Sequence, residues 1–129
     1  MNKELIHKLI AHARAASDNA YCPNSNVPEG CALLVEGNLI FGGCNVEFAT
    51  ETLEAGKVAM AKAISDSKNN FHAICFFSEK DMLYPTGGLL QLLSEFNPAI
   101  QIVVANNETY AFHNLHELLP FRRVITEGE

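Results

Sequence analysis

The sequence lacks the features that are typical of membrane, nucleic-acid-binding and disulfide-stabilised proteins. No apolar run approaches the ~20 residues that a membrane-spanning helix requires, and polar side chains within residues 1–14 interrupt the apolar centre that a signal peptide needs. Nine basic and fifteen acidic residues give a formal net charge of −6, which disfavours binding to nucleic acid or to an anionic membrane surface. The four cysteines include no Cys-x-x-Cys pair, so they predict free and mostly buried thiols. We therefore expect a cytoplasmic protein with no nucleic-acid or membrane partner.

The length and the apolar pattern predict one α/β domain. A chain of 129 residues with 48% apolar and 19% charged side chains is typical of a single globular domain, here residues 1–129. The predicted helices are residues 3–17, a helix from an N-cap at Thr50 to about Ser67, Gly87–Phe96 and a turn at 114–119. The predicted strands are a hairpin of Cys31–Val35 with Leu39–Gly42, then 71–78, 100–105 and 109–112. This order suggests a mixed sheet between helical layers.

Five segments that follow one another along the chain resemble those of the small cytidine deaminases. The segments are Ala20–Asn26 with Gly30–Leu34, Gly43–Glu47, Lys62–Ser65, Gln91–Phe96 and Leu118–Phe121. They run in order from Ala20 to Phe121, so the resemblance extends over most of the chain. The resemblance implies a three-layer α/β/α cytidine-deaminase-like fold with a mixed sheet of about five strands. It also implies a homo-oligomer, with the tetramer of the family's short members as the expected form.

The residues that carry the chemistry of these deaminases are replaced in this chain. The family has a His or Cys, an Ala and a Glu at the start of its second helix, and a Pro-Cys-x-x-Cys at the start of its third. In the first motif Glu54 stands at a zinc-ligand position, and Gly56 stands at the position of the proton-shuttling Glu. In the second motif Thr86 and Leu89 stand at the positions of the two thiolates.

These replacements predict a chain without a zinc ion or another cofactor. A leucine cannot bind a metal, and a neutral hydroxyl with a single carboxylate falls short of the ligand set of catalytic zinc. Without zinc the pKa of the attacking water stays far above neutral pH, which removes on the order of 12 kcal/mol of nucleophile activation. Gly56 has no side chain that could transfer a proton. We therefore expect no hydrolytic deamination.

Four residues are candidates for ligand binding through the resemblance. Asn45 and Glu47 match the family's Asn and Glu that hydrogen-bond the ribose hydroxyls, and Phe121 ends the C-terminal signature. Val27 stands where the family places an aromatic residue near the base. The alternative for Asn45 and Glu47 is a turn at the end of a strand, where their side chains satisfy backbone groups.

Glu47, Glu54 and Lys57 are the candidates for a new, metal-independent reaction. Glu54 and Lys57 are three residues apart and favour an ion pair on one helical face; alternatively, the Lys57 ammonium replaces the charge of the lost metal. Glu47, Glu51 and Glu54 would instead form an acidic cluster that supplies the paired carboxylates that cleavage of a glycosidic bond requires.

His113 and His116 have the i, i+3 spacing of half a metal site, but two ligands without a third indicate a solvated helix end.

The sequence therefore leaves three functions open. The first is a degenerate, zinc-free deaminase-like protein that binds a nucleoside or a similar ligand, acts in regulation or associates with an active paralogue. The second is an enzyme with a metal-independent reaction on a pyrimidine nucleoside, in which case a hydrolase is expected. The third is an active cytidine deaminase, converting cytidine or deoxycytidine to uridine or deoxyuridine, whose zinc ligands come from positions that the resemblance does not align. The residues do not decide whether the chain is an enzyme.

Overall fold

The computed structural model describes residues 1–125, in which the predicted helices and strands follow one another in the predicted order and two short strands that were not predicted, Val46–Glu47 and Thr52–Leu53, precede the second helix. The helices are α1 (Lys3–Ser17), α2 (Ala55–Ser65), α3 (Gly87–Phe96) and α4 (Leu115–Leu118). The strands are β1 (Glu29–Val35), β2 (Leu39–Cys44), β3 (Val46–Glu47), β4 (Thr52–Leu53), β5 (Phe71–Ser78), β6 (Gln101–Ala105) and β7 (Tyr110–Asn114). No helix within residues 1–125 is both long and apolar enough to cross a membrane.

A five-stranded mixed sheet forms the middle layer of the fold. Its strands lie in the order β2-β1-β5-β6-β7. The β5–β6 pair is parallel, while the other three pairs are antiparallel. The predicted hairpin of β1 and β2 is closed by a 3₁₀ turn at Glu36–Asn38, where Gly37 adopts a φ of 74° that glycine tolerates without strain. The prediction of a mixed sheet with about five strands is confirmed.

Helices cover both faces of this sheet and complete the three predicted layers. On one face, α1 buries Leu9 and Ala13 against side chains of β1, β5 and β6, among them Cys75. On the other face, α2 and α3 bury Met60 and Leu93 in a second apolar cluster. The central strand β5 is therefore covered on both sides, as its continuous apolar run predicts.

Two glycines let the helical layers approach the backbone of the sheet. A Cβ atom at Gly30 of β1 would lie 2.8 Å from the backbone nitrogen of Ser17 in α1. A Cβ atom at Gly43 of β2 would lie 2.6 Å from the backbone nitrogen of Ala59 in α2. Because a side chain at position 43 would push α2 outward, Gly43 sets the distance between this helix and the sheet.

The second helix begins later than predicted. β3 and β4 pair with Val46 opposite Leu53, which keeps the chain extended up to the start of α2. The predicted N-cap at Thr50 is therefore wrong: Glu54 occupies the N-cap position with an extended backbone, and its side chain makes no capping bond. The carboxylate of Glu54 is thereby free to make contacts with other parts of the chain.

Candidate functional site

The N-termini of α2 and α3 meet, and the predicted site residues Glu54 and Thr86 are their N-cap residues. Thr86 Oγ1 donates a hydrogen bond of 2.7 Å to Glu54 Oε1. The same hydroxyl accepts a bond of 3.2 Å from the backbone N–H of Leu89 and so caps α3. Lys57 Nζ lies 3.8 Å from Glu54 Oε2, so the predicted ion pair is present. Glu54 and Thr86 therefore join the two helices.

Leu89 and Gly56 interlock directly behind this hydrogen bond. The Leu89 side chain is 1% exposed and belongs to the apolar cluster between the sheet, α2 and α3. A Cβ atom at Gly56 would overlap with Leu89 Cδ2 and lie 3.0 Å from Phe76 Cε1. The leucine thus occupies the space that any side chain at position 56 would need.

The four positions that the resemblance assigns to zinc chemistry do come together, but their side chains do not form a zinc site. Leu89 presents only carbon atoms, the Thr86 hydroxyl is engaged on both sides, and the Glu54 carboxylate faces Thr86 and Lys57. A catalytic zinc ion takes about three protein donors and an open position. Within residues 1–125 no group of three His, Cys, Asp or Glu side chains is arranged to hold a metal ion. The zinc ion that the resemblance implies does not fit these residues.

A pocket of about 160 Å³ lies against the two helix N-termini. Its polar lining includes Asn45 and three carboxylates, those of Glu29, Glu47 and Glu54, while Phe76 and Leu89 contribute apolar surface. Small-molecule sites usually have volumes of about 300–1,000 Å³, so a single chain encloses less space than a typical ligand site.

Asn45 and Glu47 hold the loop that borders this pocket. Asn45 Nδ2 donates to the carbonyl of Val27 at 3.0 Å, and Asn45 Oδ1 accepts from the backbone N–H of Glu29 at 2.9 Å. Glu47 Oε1 accepts from the backbone N–H groups of Asn24 and Ser25 at 2.9 and 3.0 Å. Both side chains are buried. They therefore satisfy backbone groups, as the alternative interpretation expects, and they also line the pocket.

The surroundings of the pocket shift the pKa values of two of its carboxyl groups, Glu29 and Glu47, in opposite directions. Hydrogen bonds from Ser25, first from its hydroxyl and then from its backbone N–H, lower the pKa of Glu47. Burial raises the pKa of Glu29, and the negative charges of Glu54 and Glu47 raise it further. Glu29 was missed by sequence reasoning, although a charged residue directly before a buried strand was a signal that could have indicated it.

Two further predicted ligand-binding residues lie outside the pocket of a single chain. The Val27 side chain is 40% exposed, and its carbonyl is held by Asn45. Phe121 follows α4 and is 94% exposed. The structure does not bring either side chain into the pocket, so a role for them in ligand binding stays a prediction.

Lys57 and the two histidines also lie away from the pocket lining. Lys57 borders a larger open groove of about 680 Å³ beside α2, together with Phe41 and Val58. His113 forms hydrogen bonds with Tyr84 and Glu117 through its two ring nitrogens, while His116 is exposed. The i, i+3 histidines are therefore not arranged as a pair of metal ligands.

Comparison with known sequences identifies relatives over most of the chain. No protein-family model matches it. The cytidine deaminase of Sporosarcina psychrophila is 33% identical over 105 residues, which are 78% of this chain and 77% of that protein. The probable cytidine deaminase of Dictyostelium discoideum is 33% identical over 124 residues, which are 93% of this chain and 84% of that protein.

Crystal structures of cytidine deaminases superpose on the fold described above. The 1.6 Å crystal structure of cytidine deaminase from Burkholderia pseudomallei matches with a TM-score of 0.86 and 30% identity, covering 95% of this chain and 100% of that one. The crystal structure of cytidine deaminase from Mycobacterium tuberculosis matches with a TM-score of 0.81 and 26% identity, covering 93% of this chain and 98% of that one.

Proposed function

Because this chain belongs to the cytidine deaminase family, we propose that it is a zinc-free member that does not deaminate cytidine. Its role is to bind a small nucleoside-like ligand in the pocket beside α2 and α3, and to act through binding or regulation. The residues named in the two zinc motifs serve the fold in this proposal, whereas the loop held by Asn45 and Glu47 borders the ligand.

The interlock of Leu89 with Gly56 is the observation that carries this proposal. Position 56 has no side chain to transfer a proton, and Leu89 fills the volume that such a side chain would occupy. The loss of metal activation would by itself cost on the order of 12 kcal/mol at the attacking water. Both losses act on the same step, and either is large enough to prevent useful hydrolysis.

The charge and the size of the pocket favour a neutral or cationic ligand. Glu29, Glu47 and Glu54 all line a volume of about 160 Å³, and a phosphate group there would be repelled by their negative charges. The volume lies below the usual range for small-molecule sites, so the chain encloses part of a nucleoside. We propose that the rest of the ligand is covered by another subunit of a homo-oligomer, expected to be a tetramer, or by an active paralogue. We propose that the protein acts in the cytoplasm.

One experiment combines metal analysis, product analysis and ligand screening on the same sample. The protein is purified without added zinc, assayed for ammonia release from cytidine and deoxycytidine, and screened by thermal shift with cytidine, uridine and their monophosphates. We expect sub-stoichiometric zinc, no ammonia and a higher melting temperature with a nucleoside, since a ligand of the native state stabilises it.

A pair of matched variants links the stabilisation to the pocket. Thr52→Gln adds bulk at the pocket lining, whereas Thr109→Gln makes the same change at an exposed position before β7. We expect only Thr52→Gln to abolish the nucleoside-dependent shift. About one zinc ion per chain, or steady ammonia release, overturns the zinc-free assignment, and the absence of any nucleoside shift overturns the binding role.

A second candidate function is cleavage of a glycosidic bond, favoured by the opposite pKa directions of Glu29 and Glu47. A carboxyl group with a raised pKa is suited to a general acid, and one with a lowered pKa to a base or nucleophile. Incubation with a stabilising nucleoside followed by analysis for free base tests this function. Loss of turnover in Glu29→Gln and in Glu47→Gln would be required, and intact nucleoside after prolonged incubation excludes it.

A further inference from the structure

A chain of hydrogen bonds connects the pocket to β7 and α4 through Tyr84, His113 and Glu117. Tyr84 lines the pocket just before Pro85 and the N-cap of α3. Its hydroxyl lies 2.8 Å from His113 Nε2, and His113 Nδ1 lies 3.1 Å from Glu117 Oε2. The two aromatic rings are 5.4 Å apart at an angle of 62°. The loop before α3, the strand β7 and the helix α4 thus contribute one side chain each.

The direction of these hydrogen bonds follows from the chemistry of Glu117. Its other oxygen accepts from the backbone N–H of Asn114 as part of a capping box, which fixes the carboxylate in place. The hydrogen bond from His113 and that from Asn114 lower the pKa of Glu117, so the group is ionised and can only accept. His113 Nδ1 therefore carries the hydrogen, and Nε2 is left as the acceptor for the Tyr84 hydroxyl.

The three groups follow one another in the order found where a side-chain hydroxyl is activated as a nucleophile. A phenolic hydroxyl is bonded to an imidazole base, and a carboxylate orients the imidazole on its far side. The lone pairs of the Tyr84 oxygen are directed away from its bond to His113. Tyr84 is 46% exposed, so a small molecule can approach its side chain from solvent.

We propose that Tyr84 is a reactive hydroxyl at the mouth of the pocket, with His113 as its base and Glu117 as the positioning residue of that base. When the Tyr84 oxygen attacks an electrophilic atom of a small neutral ligand, a bond forms between the two atoms, and the bond from that atom to its leaving group breaks, with the leaving group taking the bonding electrons. The phenolic proton passes to His113 Nε2, and the positive charge on the imidazole is balanced by Glu117. The step requires no metal.

The proposal does not rest on nucleoside binding, and its test uses a probe of another kind. Phenylmethanesulfonyl fluoride is a small neutral electrophile that modifies nucleophilic hydroxyls. The Tyr84 oxygen forms a bond to sulfur, fluoride leaves with the electrons of the S–F bond, and the phenolic proton goes to His113. Mass spectrometry of the digested protein measures the rate of this modification at each tyrosine separately.

Tyr21 provides the control within the same chain because it is more exposed, at 58%, than Tyr84. We expect Tyr84 to be sulfonylated at least about 10-fold faster than Tyr21, the low end of what a positioned base contributes. His113→Gln should reduce the Tyr84 rate to that of Tyr21, whereas His116→Gln, the matched change at a neighbouring exposed histidine, should leave it unchanged.

Glu117→Gln separates the positioning role from a structural one. Glutamine retains the capping box of α4, so circular dichroism should show an intact fold, while the rate at Tyr84 falls and the rate at Tyr21 does not. A Tyr84 rate at or below that of Tyr21, or a rate unaffected by His113→Gln in a folded protein, overturns the proposal. Failure of the nucleoside screen described above has no bearing on either outcome.

Discussion

The interlock between Leu89 and Gly56 can be tested by a double-mutant cycle. Leu89→Ala truncates a side chain that is almost fully buried, which costs about 2–5 kcal/mol of unfolding free energy. Gly56→Ala gains up to about 1 kcal/mol of helix propensity, but the new methyl group overlaps with Leu89 and crowds Phe76. Overpacking of this kind costs about 1–3 kcal/mol, so we expect Gly56→Ala alone to be destabilising or at best neutral.

The double variant distinguishes a specific interlock from two unrelated defects. With Leu89 shortened, the methyl group added at position 56 fills part of the void instead of colliding with the leucine. We therefore expect the double variant to be less destabilised than the sum of the single variants by about 1–3 kcal/mol. Gly87→Ala is the matched control, because it places the same methyl group at the start of α3, where no atom lies within 4 Å.

Urea denaturation followed by far-ultraviolet circular dichroism measures all four free energies, and the slopes must agree for the comparison to hold. The control should be neutral or stabilising. Single effects that add to within about 0.5 kcal/mol, or a Gly56→Ala variant more stable than the original protein, would refute the reasoning. Either result would mean that space is available at position 56 for a side chain.

Two further predictions concern the charge and the metal chemistry of the same pocket. Burial and the neighbouring Glu54 charge raise the pKa of Glu29 above 4.5, so ionisation of Glu29 destabilises the fold progressively as the pH rises from the unfolded-state pKa through the folded-state pKa. Glu29→Gln should therefore raise the urea midpoint at pH 7 and lose this advantage below about pH 4.5, and a gain that is equal at both pH values contradicts this cause. The triple variant Glu54→Cys/Thr86→Cys/Leu89→Cys should bind about one zinc ion per chain without deaminating cytidine, because three thiolates restore the donor set while Gly56 still supplies no proton. The corresponding triple serine variant is the control. If the triple cysteine variant binds no metal, the N-termini of α2 and α3 are not placed as inferred.

Most elements of the fold could be predicted because their signals are local. The apolar residues of α1 repeat along one face, and both α3 and β5 begin and end at the predicted residues. The short β3–β4 pair could not be predicted, because two-residue strands carry no periodicity and depend on pairing with each other. This pairing displaced the predicted N-cap from Thr50 to Glu54.

The site was predictable only as far as single positions could be aligned with the family. Glu54, Gly56, Thr86 and Leu89 do converge, but local patterns offer no means of seeing how Leu89 packs against Gly56. The bonds that organise the surroundings join residues far apart: Thr86 and Glu54 are 32 positions apart, and Tyr84 and His113 are 29 positions apart. Such contacts are set by the tertiary fold, which short stretches of sequence do not encode.

The hydrogen bond between the Thr86 hydroxyl and the Glu54 carboxylate bears on whether folding of this protein in the cell depends on a metal ion. Proteins whose folding free energy comes from a bound ion lose their structure to chelators and depend on the supply of that ion. Here the N-termini of α2 and α3 are joined by a hydrogen bond between two side chains of the chain itself. On the proposed zinc-free assignment, we expect the chain to fold equally well under transition-metal starvation, whereas a protein whose folding depends on a bound metal ion would not.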